Sequence, residues 1–394
     1  MTSMAEKSWL IQTEELQVGT TLSFDLVDSN GQMLHKAGMP ISEKLKEKLV
    51  KRNIHSVTVQ GLLEDESEQY QELLFDSYPA ATIAHLQSSI RASQDAILNL
   101  AQTLRDGKDG EVGELREGID DFVHQAQKNL SATLAMIATK SKLGNQQIAD
   151  RLACRSTHAS LLSIAMSVTK NDDPAESFEI GLAAMLHDVS LLLHPEWFSQ
   201  ELEPKESRFW DDYRRHPIES AELLNSIKGI STNTIRFVTQ VHEQIDGTGY
   251  PRGLRQKQIP TAARILNLSD AYLSLTEPIM GKPYAPSDAL AYLCHHTALG
   301  LFCKESLQRM LQSMSLYPIG SVVLLDDETK AIVIKATPGN PLKPVVRLID
   351  RDNLRIDLST SSRLILGPHI DSKIEHCERI EKNQLSSVLW RTDR

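Results

Sequence analysis

From about Gly144 to Leu311, apolar residues recur at helical spacing with no alternating stretch, which commits that part of the chain to a helical bundle. One loop breaks the pattern with a composition that a core helix would not tolerate: His242-Glu243-Gln244-Ile245-Asp246-Gly247-Thr248-Gly249-Tyr250-Pro251-Arg252-Gly253-Leu254. Gly247 and Gly249 permit positive φ and close backbone approach, and Pro251 ends any helix just before it. A rigid loop with a histidine and an acid at its mouth is a way of presenting a metal-centred site. Upstream, His187 and Asp188 stand side by side in an apolar helical run, an unusual place for such a pair.

A divalent ion in a hydrolase takes imidazole and carboxylate ligands and leaves positions for water and substrate. The helical region offers such groups at fairly even intervals: His158, His187, Asp188, His216, His242 and Asp270. Each gap is close to one helix plus one turn, so successive helices can bring their ends to one point. Taken singly, His158 and His216 read as hydrogen-bonded core histidines. The His187-Asp188 pair and Asp270, an acid within the apolar run Ile265 to Leu275, are costly to bury without a partner and point to a shared site. His124, His194, His295 and His296 have no such context and read as surface or structural residues.

The chain divides by texture. Residues 1–61 read as a small N-terminal α+β domain. Thr21 to Val27 is expected to be a strand, Asp28-Ser29-Asn30-Gly31 a hairpin turn, and Met33 to Lys36 the return. A helix follows Ile41 with Ser42 as its N-cap, and Ile54 to Val59 is a further strand. Residues 62–143 read as an acidic linker followed by a helical hairpin. Its helices, Ala81 to Leu104 and Val112 to Thr139, are separated at Asp106-Gly107-Lys108-Asp109-Gly110. That pair either packs on the next domain or forms a dimer or relay surface. Residues 144–316 are the helical bundle. In 317–394, β-branched runs at Ser321 to Leu325, Ala331 to Ala336 and Val345 to Ile349 predict a small antiparallel β module, with a polar tail past Asp371.

Bulk properties narrow the function. A net charge of −10 leaves no basic stripe for general nucleic-acid binding, although one anionic nucleotide can bind where a metal makes the site positive. Cys154, Cys294, Cys303 and Cys377 are scattered without a CxxC pair, as in a reduced cytosolic protein. The first ten residues lack the apolar core of a signal peptide, and no run is long enough for a membrane helix, so a soluble, cytoplasmic protein is expected.

The His187-Asp188 pair, the Gly249-Tyr250-Pro251 loop and the order of the surrounding histidines resemble the HD-GYP family, a branch of the HD metal-dependent phosphohydrolases. The resemblance covers about residues 150 to 315. It implies a mainly α chain: an HD-type helical bundle flanked by the small N-terminal α+β domain and the C-terminal β module. It also implies one or two divalent transition-metal ions, iron or manganese, and hydrolysis of cyclic di-GMP. Carried over by position, His158, His187, Asp188 and Asp270 look like the ligands of a first metal. Asp188 would bridge to a second held by His216 and His242, with His187 and Asp188 as the catalytic pair. Tyr250 and Lys282 would contact the substrate, and Gly247, Gly249 and Pro251 would shape the loop.

The chain departs from the family pattern at several points. Leu191 stands where the family has a lysine, Val241 where it has a histidine, and Cys154 where it has a glutamate. Lys282 and Ala285 replace an arginine and a lysine of a phosphate clamp, and lysine is not equivalent to arginine on phosphate. Two functions are therefore expected to compete. One is a cyclic di-GMP phosphodiesterase with a thinned site. The other is a non-catalytic module that binds cyclic di-GMP or a protein partner such as a diguanylate cyclase, with a homodimer as a further option.

Overall fold

A computed structural model of the chain describes residues 7–13, 25–27, 33–36, 41–52, 54, 56–61, 66–138, 147–170, 172–194, 198, 213–279, 283–349 and 354–369. The chain forms two compact units, Met1–Gln69 and Tyr70–Arg394.

In the first unit, strands β1 (Lys7–Gln12), β2 (Asp25–Val27), β3 (Met33–His35) and β4 (Ser56–Gly61) make an antiparallel sheet in the order β1-β4-β2-β3. Helix α1 (Glu43–Lys51) starts where expected: the Ser42 hydroxyl accepts the Leu45 N–H at 3.2 Å and caps the first turn. Leu26, Ile41 and Leu49 are buried. The sequence reading did not include β1, which pairs along its whole length with β4. The expected Asp28–Gly31 turn lies outside the described residues.

Helix α2 (Glu66–Phe75) runs across the boundary in sequence, and α3 (Ala80–Arg105) and α4 (Gly113–Lys128) follow. Ile83, Leu86, Ile97 and Leu100 give α3 its buried stripe, and Leu115, Ile119, Phe122 and Val123 give α4 its own. Gly107 ends α3 at φ +70°, and Lys108 N–H bonds back to the Thr103 carbonyl at 3.1 Å. The single helix expected over Val112 to Thr139 is two. Asn129 leaves helical geometry at φ −150°, and its side chain caps α5 (Leu130–Ala135) by accepting the Ala132 N–H at 3.2 Å. An asparagine cap here outcompetes helix continuation.

Helix α6 (Ile148–Val168) is the axis of the second unit. It packs against α3, α4 and α7 (Pro174–Leu186), and nearly every side chain from Leu152 to Ser167 is buried. A helix buried all round needs small residues to admit its neighbours, and α6 supplies Ser156, Ala159, Ser160, Ser163 and Ala165. On α7, Gly181 completes the fit: a Cβ there would lie 2.6 Å from Ile164 Cδ1. The short α8 (Val189–Leu193) then leads to α9 (His216–Asn225) and α10 (Thr232–Thr239). The glycine-rich loop joins α10 to α11 (Thr261–Thr276), and α12 (Pro286–Ala298) and α13 (Lys304–Met314) close the bundle.

The C-terminal strands β5 (Val322–Leu325), β6 (Lys330–Lys335), β7 (Val345–Leu348), β8 (Arg355–Asp357) and β9 (Ile365–Pro368) form an antiparallel sheet in the order β8-β7-β6-β5-β9. The sheet is tied to the helical layer by Tyr78, which donates to the Ile334 carbonyl at 2.5 Å, and by Arg347, which donates to the Leu73 carbonyl at 2.6 Å. The protein is thus mainly helical with a small antiparallel sheet at its C-terminal end. Among the described residues, no helix is long and apolar enough to cross a membrane. The expected tail past Asp371 lies outside the described residues.

Candidate metal centre

Four chain segments deliver polar side chains to one buried point. Helix α7 ends at Leu186, so His187 falls at its C-cap and Asp188 at the start of α8. His216 is the first residue of α9, followed by Pro217, a good starter for a first helical turn. His242 lies just past α10, whose C-cap is Gln240, and Asp270 projects from the middle of α11. All five side chains are buried.

Their imidazoles are oriented from behind. His187 Nδ1 donates to the Ala184 carbonyl at 2.7 Å, and His216 Nδ1 donates to the Tyr213 carbonyl at 2.6 Å. Both Nε2 atoms are thereby turned inward, the arrangement that serves a metal ligand. His187 Nε2 lies 3.2 Å from Asp188 Oδ2 and 3.5 Å from Asp270 Oδ1. His216 Nε2 lies 3.5 Å from Asp188 Oδ1 and 3.0 Å from His242 Nε2. His242 Nδ1 is 3.8 Å from Asp270 Oδ2. Two ring nitrogens this close need a proton or a cation between them.

Burial and mutual attraction set the charges. Burial alone would lower the His187 imidazole, but the Asp188 carboxylate beside it, helped by Asp270, raises it to about 10. Burial would raise the Asp188 carboxyl, and His187 overrides it and holds the group well below the usual carboxylate range. Asp270 is likewise held well below that range, against the effect of burial, first by Arg155. Burial pushes His216 down, and burial with the neighbouring His216 pushes His242 down to about 3, so both are neutral near pH 7. Ionised carboxylates and neutral imidazoles are the forms that bind metal, so Asp188, Asp270, His216 and His242 are ready for an ion, whereas His187 must give up a proton as one enters.

The donor set fits a divalent transition metal. Bonds of about 2.0–2.1 Å place ligand atoms of one coordination sphere roughly 3.0–3.4 Å apart. The 3.2 Å between His187 Nε2 and Asp188 Oδ2, the 3.5 Å between His216 Nε2 and Asp188 Oδ1 and the 3.0 Å between His216 Nε2 and His242 Nε2 are each close to that spacing, with the two Asp188 oxygens turned to different histidines. His187, Asp188 and Asp270 also form one of two groups able to converge on a single ion.

His158 lies in the other group, with Cys154 and Glu277. Its Nδ1 is 2.8 Å from each Glu277 carboxylate oxygen, and its Nε2 is 3.8 Å from Cys154 Sγ. The α6 side chain bonded to Asp270 is Arg155, which donates Nη2 to Asp270 Oδ1 and, at 2.7 Å, to Ser274 Oγ. The sequence reading missed Arg155, Glu277 and Asn267. Asn267 donates to the Val241 carbonyl at 2.7 Å and so fixes the backbone beside His242.

The loop is held by its own acids. Glu243 accepts the Arg252 and Leu254 N–H groups at 2.7 Å each, so the acid at the loop mouth clasps backbone and does not face the centre. A Cβ on Gly249 would overlap the backbone of His242 to Gln244. Gly247 takes φ +84° against the Arg255 side chain. Tyr250 stacks on His242 with ring centroids 4.8 Å apart, and Pro251 follows it at the turn. Leu191 and Val241 are 1% and 0% exposed, both in the core. Lys282 lies outside the described residues. Of the histidines read as structural, His296 is buried and stacked on Tyr292.

Residues 123–299 match the HD domain family. The chain is 23% identical over 268 residues to the cyclic di-GMP phosphodiesterase PA4108 of Pseudomonas aeruginosa, an alignment covering 68% of this chain and 63% of that protein. It is 24% identical over 223 residues to the cyclic di-GMP phosphodiesterase PdeB of Borreliella burgdorferi, covering 56% of this chain and 58% of that protein. The chain thus spans about three fifths of the length of these curated relatives. Among solved structures, Bd1817, an HDG"Y"P protein of Bdellovibrio bacteriovorus, aligns with 77% of this chain and 98% of its own at 20% identity and a TM-score of 0.48. Residues 123–299 are thus similar to the HD domain family, and longer stretches of the chain are similar to proteins named as cyclic di-GMP phosphodiesterases.

Proposed function

We propose that the protein is a metal-dependent phosphodiesterase that opens cyclic di-GMP to the linear dinucleotide in bacterial second-messenger signalling. The observation that carries this reading is the convergence of His187, Asp188, His216, His242 and Asp270 on one buried point, with His216 Nε2 and His242 Nε2 only 3.0 Å apart. The relatives named as cyclic di-GMP phosphodiesterases support the substrate class. Imidazole and carboxylate donors without a thiolate in this group favour iron or manganese. A bound divalent ion would supply positive charge to the phosphoryl oxygens and acidify a water.

The chain's own residues do the rest. The Ala184 and Tyr213 carbonyls hold the His187 and His216 rings with their Nε2 atoms inward. Asp188 faces His187 with one oxygen and His216 with the other, which suits it to join both sides of the centre. Tyr250, stacked on His242, stands beside the centre as the candidate substrate contact. The loop clasped by Glu243 keeps that ring in register.

A second reading, a module that binds cyclic di-GMP or a signalling protein without hydrolysing it, draws on Leu191 and Val241. Both are packed in the core where a cation and an imidazole were expected. The experiment that separates the two is turnover of cyclic di-GMP by full-length protein with Mn²⁺ or Fe²⁺ added under anaerobic conditions. The phosphodiesterase reading expects the linear dinucleotide as product, lost in His187→Ala with helicity intact. Absence of product from metal-loaded wild type, with cyclic di-GMP still bound, would favour the binding module.

A further inference from the structure

One charged group at the centre is not a metal ligand. Arg155 is on α6, three residues before His158, and is only 7% exposed. Its Nη2 bonds the Oδ1 oxygen of Asp270 and, at 2.7 Å, the Ser274 hydroxyl. Asp270 and Ser274 are one turn apart on α11, so the guanidinium is seated along that helix and is not a passing contact. Buried arginine is always charged and is too costly to place in a core without a carboxylate partner.

We propose that the Arg155 guanidinium is a built-in cation that takes the place of one metal ion, so that the centre binds a single divalent ion. This rests on the reading of the cluster as a metal centre.

Two arguments carry it. The first is ligand supply. In a two-metal centre the ions sit about 3.5–4 Å apart and share oxygens between them. The Oδ1 oxygen of Asp270 already accepts from Arg155, and the α6 position facing Asp270 is filled by a cation rather than by a donor. His158, the α6 imidazole expected among the first metal's ligands, bonds Glu277 instead. The second argument is charge. Asp188 and Asp270 contribute two negative charges among the described side chains of the cluster, and Arg155 permanently offsets one of them. One divalent ion then leaves a single positive charge, suited to an anionic phosphodiester. A second divalent ion would raise that to three in a buried site, where like charges repel strongly.

The test uses the full chain, stripped with chelator and reloaded anaerobically with Mn²⁺ alone. Metal per chain is measured by elemental analysis after gel filtration. Electron paramagnetic resonance then distinguishes an isolated Mn²⁺ from an exchange-coupled pair. The expected result is one uncoupled ion on wild type and on Arg155→Lys, which keeps the charge, and two ions on Arg155→Ala. Arg155→Ala should also lose more thermal stability than wild type in excess chelator and recover it with Mn²⁺. A wild type that binds a coupled pair overturns the inference while leaving the metal-centre reading in place, and so does an Arg155→Ala variant that folds yet still holds one ion. A wild type that takes up no metal overturns both. If Arg155→Ala does not fold, the wild-type stoichiometry and spectrum still decide.

Discussion

At the scale of single residues, the centre is built from groups that the core would otherwise reject, and this is why much of it could be read from the sequence. His187, Asp188 and Asp270 are polar residues in apolar helical runs, His216 opens a helix and His242 opens the glycine-rich loop, and the fold collects all five. Leu191 and Val241 bear on which of the two functional readings holds. The double variant Leu191→Lys/Val241→His puts a charge and an imidazole at positions 1% and 0% exposed, so its thermal midpoint should fall well below that of wild type. A faster phosphodiesterase rate despite that fall would mark the site as a thinned enzyme; a fall with no gain in rate would favour the binding module. Glu243 gives a cleaner structural prediction. Its carboxylate satisfies two loop N–H groups at 2.7 Å, so Glu243→Ala should cost about 2–3 kcal/mol in chemical denaturation. A cost near zero would mean that the clasp does not hold the loop. Arg155 carried the same signal as Asp270, a charge amid Ala153, Ala159 and Leu161. Unlike Asp270, an arginine is not a metal ligand, so its charge alone does not mark it as part of the centre.

At the scale of elements, the sequence showed where helices end more reliably than what their ends touch. The break at Asp106–Gly110 and the Ser42 cap follow from local chemistry, and both are present. The break at Asn129 was also local, but helical periodicity on both sides concealed it. Glu277 was invisible because its partner His158 is 119 residues away in the chain, and no local pattern encodes that contact. The glycine loop was legible because its glycines are required sterically. Gly249→Ala would push a Cβ into the His242 to Gln244 backbone and displace His242 from His216. That variant should keep its helical circular dichroism while losing at least about tenfold in Mn²⁺ affinity by calorimetry, the scale of a disturbed ligand shell. Unchanged affinity would show that His242 does not depend on the loop for its place.

At the scale of the whole molecule, the helical unit with its C-terminal sheet was foreseen in outline, and three strands were not. Strands β8 and β9 are three and four residues long, and β9 pairs with β5 across the intervening hairpins, so neither has the length or the alternation that marks a strand. Strand β1 has its apolar residues Trp9, Leu10 and Ile11 in a row, without the alternation that marks a strand. The chain's architecture brings α7, α9, α10 and α11 to one point, and the central claim is that this point holds a metal ion. Anomalous diffraction from crystals of Mn²⁺-loaded protein tests that claim most directly. The account predicts an anomalous peak within bonding distance of His187 Nε2, Asp188 and His216 Nε2. A peak confined to Cys154, His158 and Glu277, or no peak at saturating Mn²⁺, would contradict it.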